Sequence, residues 1–176
     1  MTQLPESVVN YAEFAQPYRM PWSHFMRSYK LGAAIGGEAT IAMKARNLIP
    51  VGYGAISKHL PAFRIHEARY SRDHDLHLRK LRFNGLALVA TFEGDLAAAI
   101  HSDLLWVDKV YRGRDLGAEM QCERFLRMGP SDWVKNRYTG SDKPHTFTAG
   151  GLEVRKRAYR LLVERGVIDP GAEELP

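Results

Sequence analysis

The sequence predicts an α+β fold: a mixed, mostly antiparallel central sheet flanked by helices. Three observations predict it. The run GLALVATFEGDLAAAI, residues 85–100, sets two apolar stretches on either side of Glu93-Gly94-Asp95, which is a hairpin signal. The stretch DLLWV alternates like a strand and feeds an amphipathic helix through a basic, glycine-containing turn. HTFTA then offers a further strand ahead of a second amphipathic helix. The order strand, strand, strand, helix, strand, helix places helices over a sheet.

The chain has 176 residues, enough for one domain with a core that needs no metal or disulfide staple. Cys122 is the only cysteine, which excludes a disulfide framework and a cysteine-based zinc site. A reducing, cytoplasmic location is the simplest expectation. The first residues, MTQLPESVVNYAEF, have neither the basic start nor the apolar core of a signal peptide. LGAAIGGEATIAM is too short and too interrupted to span a membrane. The net charge of +5 favours anionic partners, but does not choose among nucleic acid, a phosphorylated cofactor and an acidic protein.

In chain order, residues 1–21 are punctuated by Pro5, Pro17 and Pro21 and read as an arm with at most one short helix. Trp22 to Asn47 reads as mainly helical, although Gly32, Gly36 and Gly37 weaken that pattern. Leu48 to Leu60 is an extended segment, and the charged stretch from His66 to Arg82 is expected on the surface. In DLLWV the alternation puts Leu105 and Val107 on one face, with Leu104, Trp106 and Asp108 on the other. A helix from Asp115 to Met128 carries Ala118, Cys122, Phe125 and Leu126 as its apolar stripe. The last helix, Leu152 to Arg165, carries Val154, Ala158, Leu161 and Leu162, and Gly166 stops it.

The chemistry concentrates in WVDKVYRGRDLGAEM, residues 106–120. A strand that ends in basic residues and glycines and passes into a helix presents free backbone N–H groups and the positive end of the helix dipole. Both attract phosphate oxygens. Val107, then Tyr111-Arg112-Gly113-Arg114-Asp115-Leu116-Gly117-Ala118, resembles the acyl-CoA signature of the GNAT superfamily of N-acetyltransferases. In that signature an Arg or Gln is followed by two residues, a Gly, one residue, and a Gly or Ala. Arg112 matches its first position and Gly117 its last. RAYRLLVERGVI, residues 157–168, resembles the family's next helix, so the resemblance covers residues 84–168 as an acyl-CoA-binding core.

The resemblance implies a single GNAT-like domain over residues 1–176 and an acyl-CoA-dependent N-acyltransferase, with acetyl-CoA as co-substrate and no metal. An acetyl group would pass to a primary amine by direct attack in a ternary complex. It implies a cofactor site made by Trp106, Val107, Arg112, Gly113, Arg114, Asp115, Leu116, Gly117 and Ala118. The acceptor stays open between a small molecule, a protein and a nucleic acid, and a second copy of the chain is admitted as a partner.

Three positions depart from the family pattern. Asp115 stands in place of the first glycine and is expected to turn aside and cap the helix. Leu162 stands where many members carry a tyrosine that protonates the leaving thiolate. Only ten residues follow Gly166, where the family adds a strand pair. A catalytically weakened GNAT-fold binding module is therefore the non-enzyme alternative.

An alkylammonium must lose a proton before it attacks, so a base is required. Glu93, His101, Asp103 and Asp108 are the strand candidates, and Asp108 is singled out because it shares the face of Trp106. Tyr159 is the candidate replacement for the missing tyrosine, although it lies off the apolar stripe and is expected at the surface or rim. His66, His74 and His77 lie near Asp73 and Asp75, but Arg69, Arg72 and Arg79 oppose a cation there, so no metal is expected. Arg155, Lys156, Arg157 and Arg160 form a basic helix face, which keeps a tRNA or DNA acceptor as an alternative. Cys122 is expected to pack rather than react.

Overall fold

The computed structural model describes residues 7–26, 29–33, 37–71, 86–101, 104–135 and 145–176. Five strands make one antiparallel sheet: β3 (Leu48–Ile56), β4 (Arg64–Tyr70), β5 (Leu88–Phe92), β6 (Asp95–His101) and β7 (Leu104–Val107), in that spatial order. Helices flank it, so the class is α+β. Among the described residues the sheet is antiparallel throughout rather than mixed, which corrects the sequence reading. Among those residues parallel pairing is confined to two short two-stranded units. In these β1 (Tyr18–Arg19) pairs with β9 (Ile168–Asp169), and β2 (Tyr29–Leu31) pairs with β8 (His145–Phe147). The HTFTA strand therefore joins β2, not the sheet.

The hairpin forms where the apolar runs predict it. Glu93 and Gly94 both have positive φ, 49° and 88°, the turn geometry that matches the twist of the flanking strands. The strand alternation then divides the core into two layers. Leu88, Ala90, Ala98, Ile100, Leu105 and Val107 face α3 (Leu116–Met128), meeting Leu116 and Met120. Val89, Ala99 and Trp106 face the other way, onto Ala45 of α2 (Gly37–Arg46) and Leu48. The predicted phase of DLLWV is the observed one.

Helix α3 does more than its single predicted stripe requires. That stripe, with Ala118, Cys122 and Phe125, packs on α5 (Ala149–Glu164), which follows the short α4 (Pro130–Lys135), while Leu116 and Met120 make a second side against the sheet. Between α3 and α5 Arg165 forms an ion pair with the nearly buried Glu119.

The region 22–47 is a correction. Instead of one helical region it holds α1 (Trp22–Met26), β2 and α2. A glycine-rich stretch has weak helix propensity, and pairing with β8 overrides what remains. The arm is packed too. Phe14 and Tyr18 lie against the core and Met20 is fully buried. His66 is likewise buried rather than at the surface, in β4, with Nε2 2.9 Å from Thr91 Oγ1 and Nδ1 3.2 Å from the Gly52 carbonyl. Burial, partly opposed by the bond to Gly52, holds its pKa below the usual value. Residues 72–82 of that charged stretch, with His74 and His77, lie outside the described residues, as does Asp103.

Candidate functional site

Strand β7 is an edge strand: among the described residues only β6 pairs with it. Asp108 N donates to Ala97 O, and the antiparallel alternation then turns the backbone groups of Leu105 and Val107 toward the open edge. Along that edge runs a cavity of about 600 Å³. The strand supplies one wall through Leu105, Trp106 and Val107, and α5 the facing wall through Gly150, Gly151, Val154 and Arg157. Glu38 and Ile41 of α2 close one side, and the start of α3 forms the end.

The two helices that meet there begin differently. Thr148 caps α5, its hydroxyl accepting from Gly151 N at 3.0 Å. At α3 the cap position is Asp115, with φ 60° and no side-chain cap bond. This corrects the expectation that Asp115 caps the helix. The first intrahelical bond runs from Glu119 N to Asp115 O, which leaves the N–H groups of Leu116, Gly117 and Ala118 without intrahelical acceptors. Those three residues line the cavity.

Gly113 and Gly117 serve different needs. Gly113 has φ 79°, and a Cβ there would meet nothing within 4 Å, so backbone conformation selects the glycine. Gly117 is chosen by space. A Cβ would lie 3.2 Å from Val154 Cγ1 and 3.4 Å from Val107 Cγ2, so its lack of a side chain lets α3 approach both walls.

The charges are arranged in pairs. Asp115 Oδ2 accepts from Arg157 Nη2 at 3.1 Å, and this bond raises the Arg157 pKa further. Arg112 donates through Nε to the Val107 carbonyl at 3.0 Å and forms an ion pair with Glu38. That guanidinium holds the Glu38 carboxyl below its ordinary pKa. Arg114 is absent from the lining and sits 5.9 Å above the Tyr111 ring. At the cavity, Arg112 is thus neutralised by Glu38 and Arg157 by Asp115.

Neither proposed catalytic side chain reaches the cavity. Asp108 accepts from Val110 N at 3.0 Å and caps a short 3₁₀ turn, Lys109–Tyr111. Tyr159 is fully buried, not at a surface or rim, and its hydroxyl donates to the Met20 carbonyl at 2.7 Å. Desolvation raises its pKa to about 12. Leu162 is fully buried in the same core. Cys122 is buried, its Sγ 3.4 Å from the Ala158 carbonyl, and burial pushes its thiol pKa up.

The basic face of α5 is also spoken for. Arg155 is buried 4.7 Å over the Trp133 ring, and Lys156 pairs with Glu153. Arg157 pairs with Asp115, and Arg160 donates to Pro176 O. Arg155 is thus buried, which corrects its place on an exposed basic face, while Lys156, Arg157 and Arg160 each have a partner within the chain.

Sequence reading missed Glu38, Ile41 and Thr148 as site residues. Thr148-Ala149-Gly150-Gly151 was the legible signal for the last, a capping residue before two glycines. Nothing local marks Glu38. Among the described residues, no group of His, Cys, Asp and Glu could hold a metal ion, and no helix is long and apolar enough to cross a membrane. Comparison with family models, with curated proteins and with solved structures returns no match.

Proposed function

We propose that the chain is an acyl-CoA-dependent N-acyltransferase with a GNAT-like core, transferring an acetyl group from acetyl-CoA to a primary amine. The observation that carries this reading is the cavity that joins the open edge of β7 to the uncapped start of α3. An open strand edge suits the amides of a pantetheine arm, which can hydrogen-bond to the backbone of Leu105 and Val107 as an added strand would. The apolar side chains of Leu105, Val107 and Val154 suit its methylene and dimethyl portions. The N–H groups of Leu116, Gly117 and Ala118 suit the diphosphate.

The thioester supplies the activated acyl group. The amine nitrogen forms the new bond to the carbonyl carbon, the carbon–sulfur bond breaks, and the sulfur leaves as a thiolate. Asp108 and Tyr159 are both engaged in structural bonds, so solvent takes the ammonium proton before attack and a second proton from the same nitrogen as the adduct collapses. It returns one to the thiolate, with one proton released overall. Residues of this chain then act chiefly by positioning, which is a large part of acyl-transfer catalysis.

Titration with acetyl-CoA tests the reading. At a hundredfold excess over the dissociation constant, binding stabilises the native state by about 2.7 kcal/mol, a rise in Tm of several degrees. Adding an amine acceptor should then release free thiol. A flat melting curve at millimolar acetyl-CoA removes the reading.

A further inference from the structure

We propose that Asp115 is a built-in competitor for the diphosphate end of the ligand: it holds Arg157 in the ligand-free protein, and the ligand binds by taking Arg157 from it. The inference rests on the acyl-CoA reading of the cavity and adds how affinity at that site is set.

Both side chains line the same cavity, and each is half-exposed, with relative accessibilities of 47% for Asp115 and 39% for Arg157. The pair therefore stands at the accessible mouth, not in a sealed core. Asp115 occupies the residue position directly before the three unbonded N–H groups of α3. An anion that reached those groups would meet the carboxylate first, and two negative charges side by side repel. Arg157 presents a planar guanidinium that can engage a phosphate as readily as a carboxylate. The same fork cannot fully serve both.

The backbone supports this role over a structural one. Asp115 is left-handed, φ 60°, and its side chain makes no cap bond, so the helix start draws no hydrogen bond from the carboxylate. Its polar contact is the one to Arg157, through both Nε at 3.4 Å and Nη2 at 3.1 Å. No covalent step is involved. One ion pair is exchanged for another, and Asp115 is released to solvent.

The test is CoA binding by calorimetry to the wild type, Asp115→Asn, Arg157→Gln and the double variant, with pantetheine, which lacks the phosphates, as the control. Asparagine tolerates the left-handed conformation, so Asp115→Asn removes charge without disturbing the turn. It should tighten CoA by about fivefold, the effect of removing one like charge about 4 Å away in a solvated site. Pantetheine affinity should not change. In the Asp115→Asn background, Arg157→Gln should weaken CoA by about tenfold or more, because a charge-assisted contact to phosphate is then lost.

Unchanged or weaker CoA binding by Asp115→Asn overturns the exchange. So does a silent Arg157→Gln in the Asp115→Asn background, since Arg157 would then only neutralise Asp115. Absence of CoA binding in all four proteins instead overturns the acyl-CoA reading itself.

Discussion

Helix α5 serves two regions that differ in nearly every physical respect. One side of it, with Arg155, Ala158, Tyr159 and Leu162, is sealed against α1 and α3. There Phe25 stacks on Trp133 at 4.9 Å and tilts against Tyr159 at 5.1 Å, while Trp22 meets Tyr159 edge-on at 5.3 Å. The other side, with Gly150, Gly151, Val154 and Arg157, borders an open cavity. The sealed side is built of large rings, with the Tyr159 hydroxyl and the Trp133 indole N–H both donating to backbone carbonyls. The open side is built of glycines, an open strand edge, a helix start with no side-chain cap and ion pairs at accessible positions. Burial fixes the first region, and the second keeps backbone groups available for a ligand.

The contrast is broken most forcefully at Gly117, where the cavity wall is also a packing contact. Gly117→Val places a branched side chain against Val154 and Val107, starting from a Cβ that is already 3.2 Å from the first. Overpacking of this kind costs about 1–3 kcal/mol, so both the Tm and CoA affinity should fall. Gly117→Ala should be milder on both counts, because its neighbours need give only slightly. If Gly117→Val keeps full stability and full CoA affinity, the close approach of α3 to its two walls is wrong.

Tyr159 probes the sealed side. Removing its hydroxyl in Tyr159→Phe leaves the Met20 carbonyl without that donor, at a cost of about 1–2 kcal/mol. Denaturant unfolding should register the loss while the rate of acyl transfer stays unchanged. A fall in turnover of about a hundredfold, the size of a lost general acid, would place the hydroxyl in the chemistry and erase the distinction between the two sides.

Legibility in the sequence follows the range of the interaction. The hairpin, the phase of β7 and the span of α3 are set by neighbours a few residues apart, and alternation or helical spacing exposes them. Tyr159 was misread because the stripe Val154, Ala158, Leu161 and Leu162 hides a second one, Leu152, Arg155, Tyr159 and Leu162, in which an arginine interrupts the apolar pattern. That arginine is accommodated by the faces of Trp133 and Phe147, at 4.7 and 5.4 Å, which no local pattern reveals. The cavity was half legible. The loop from Arg112 to Ala118 announces itself, but the carboxylates that neutralise its surroundings do so across long separations. Glu38 comes from α2 to meet Arg112, and Arg157 comes from α5 to meet Asp115.

The smallest expected effect sharpens the comparison at that last pair. The Asp115–Arg157 contact lies in solvent, so its contribution to stability should be about 0.2–1 kcal/mol, well below any change on the sealed side. In the ligand-free protein, Asp115→Asn and Arg157→Gln should each cost little, and the double variant should cost less than their sum by that coupling. Raising the salt to 1 M shortens the screening length to about 3 Å and should shrink the coupling further. A cap at the start of α3 would behave otherwise, because its bond is to backbone N–H groups and does not involve Arg157. Strict additivity at low salt would therefore detach Asp115 from Arg157. The carboxylate would return to the helix start, and the open side of α5 would lose the feature that most separates it from the sealed one.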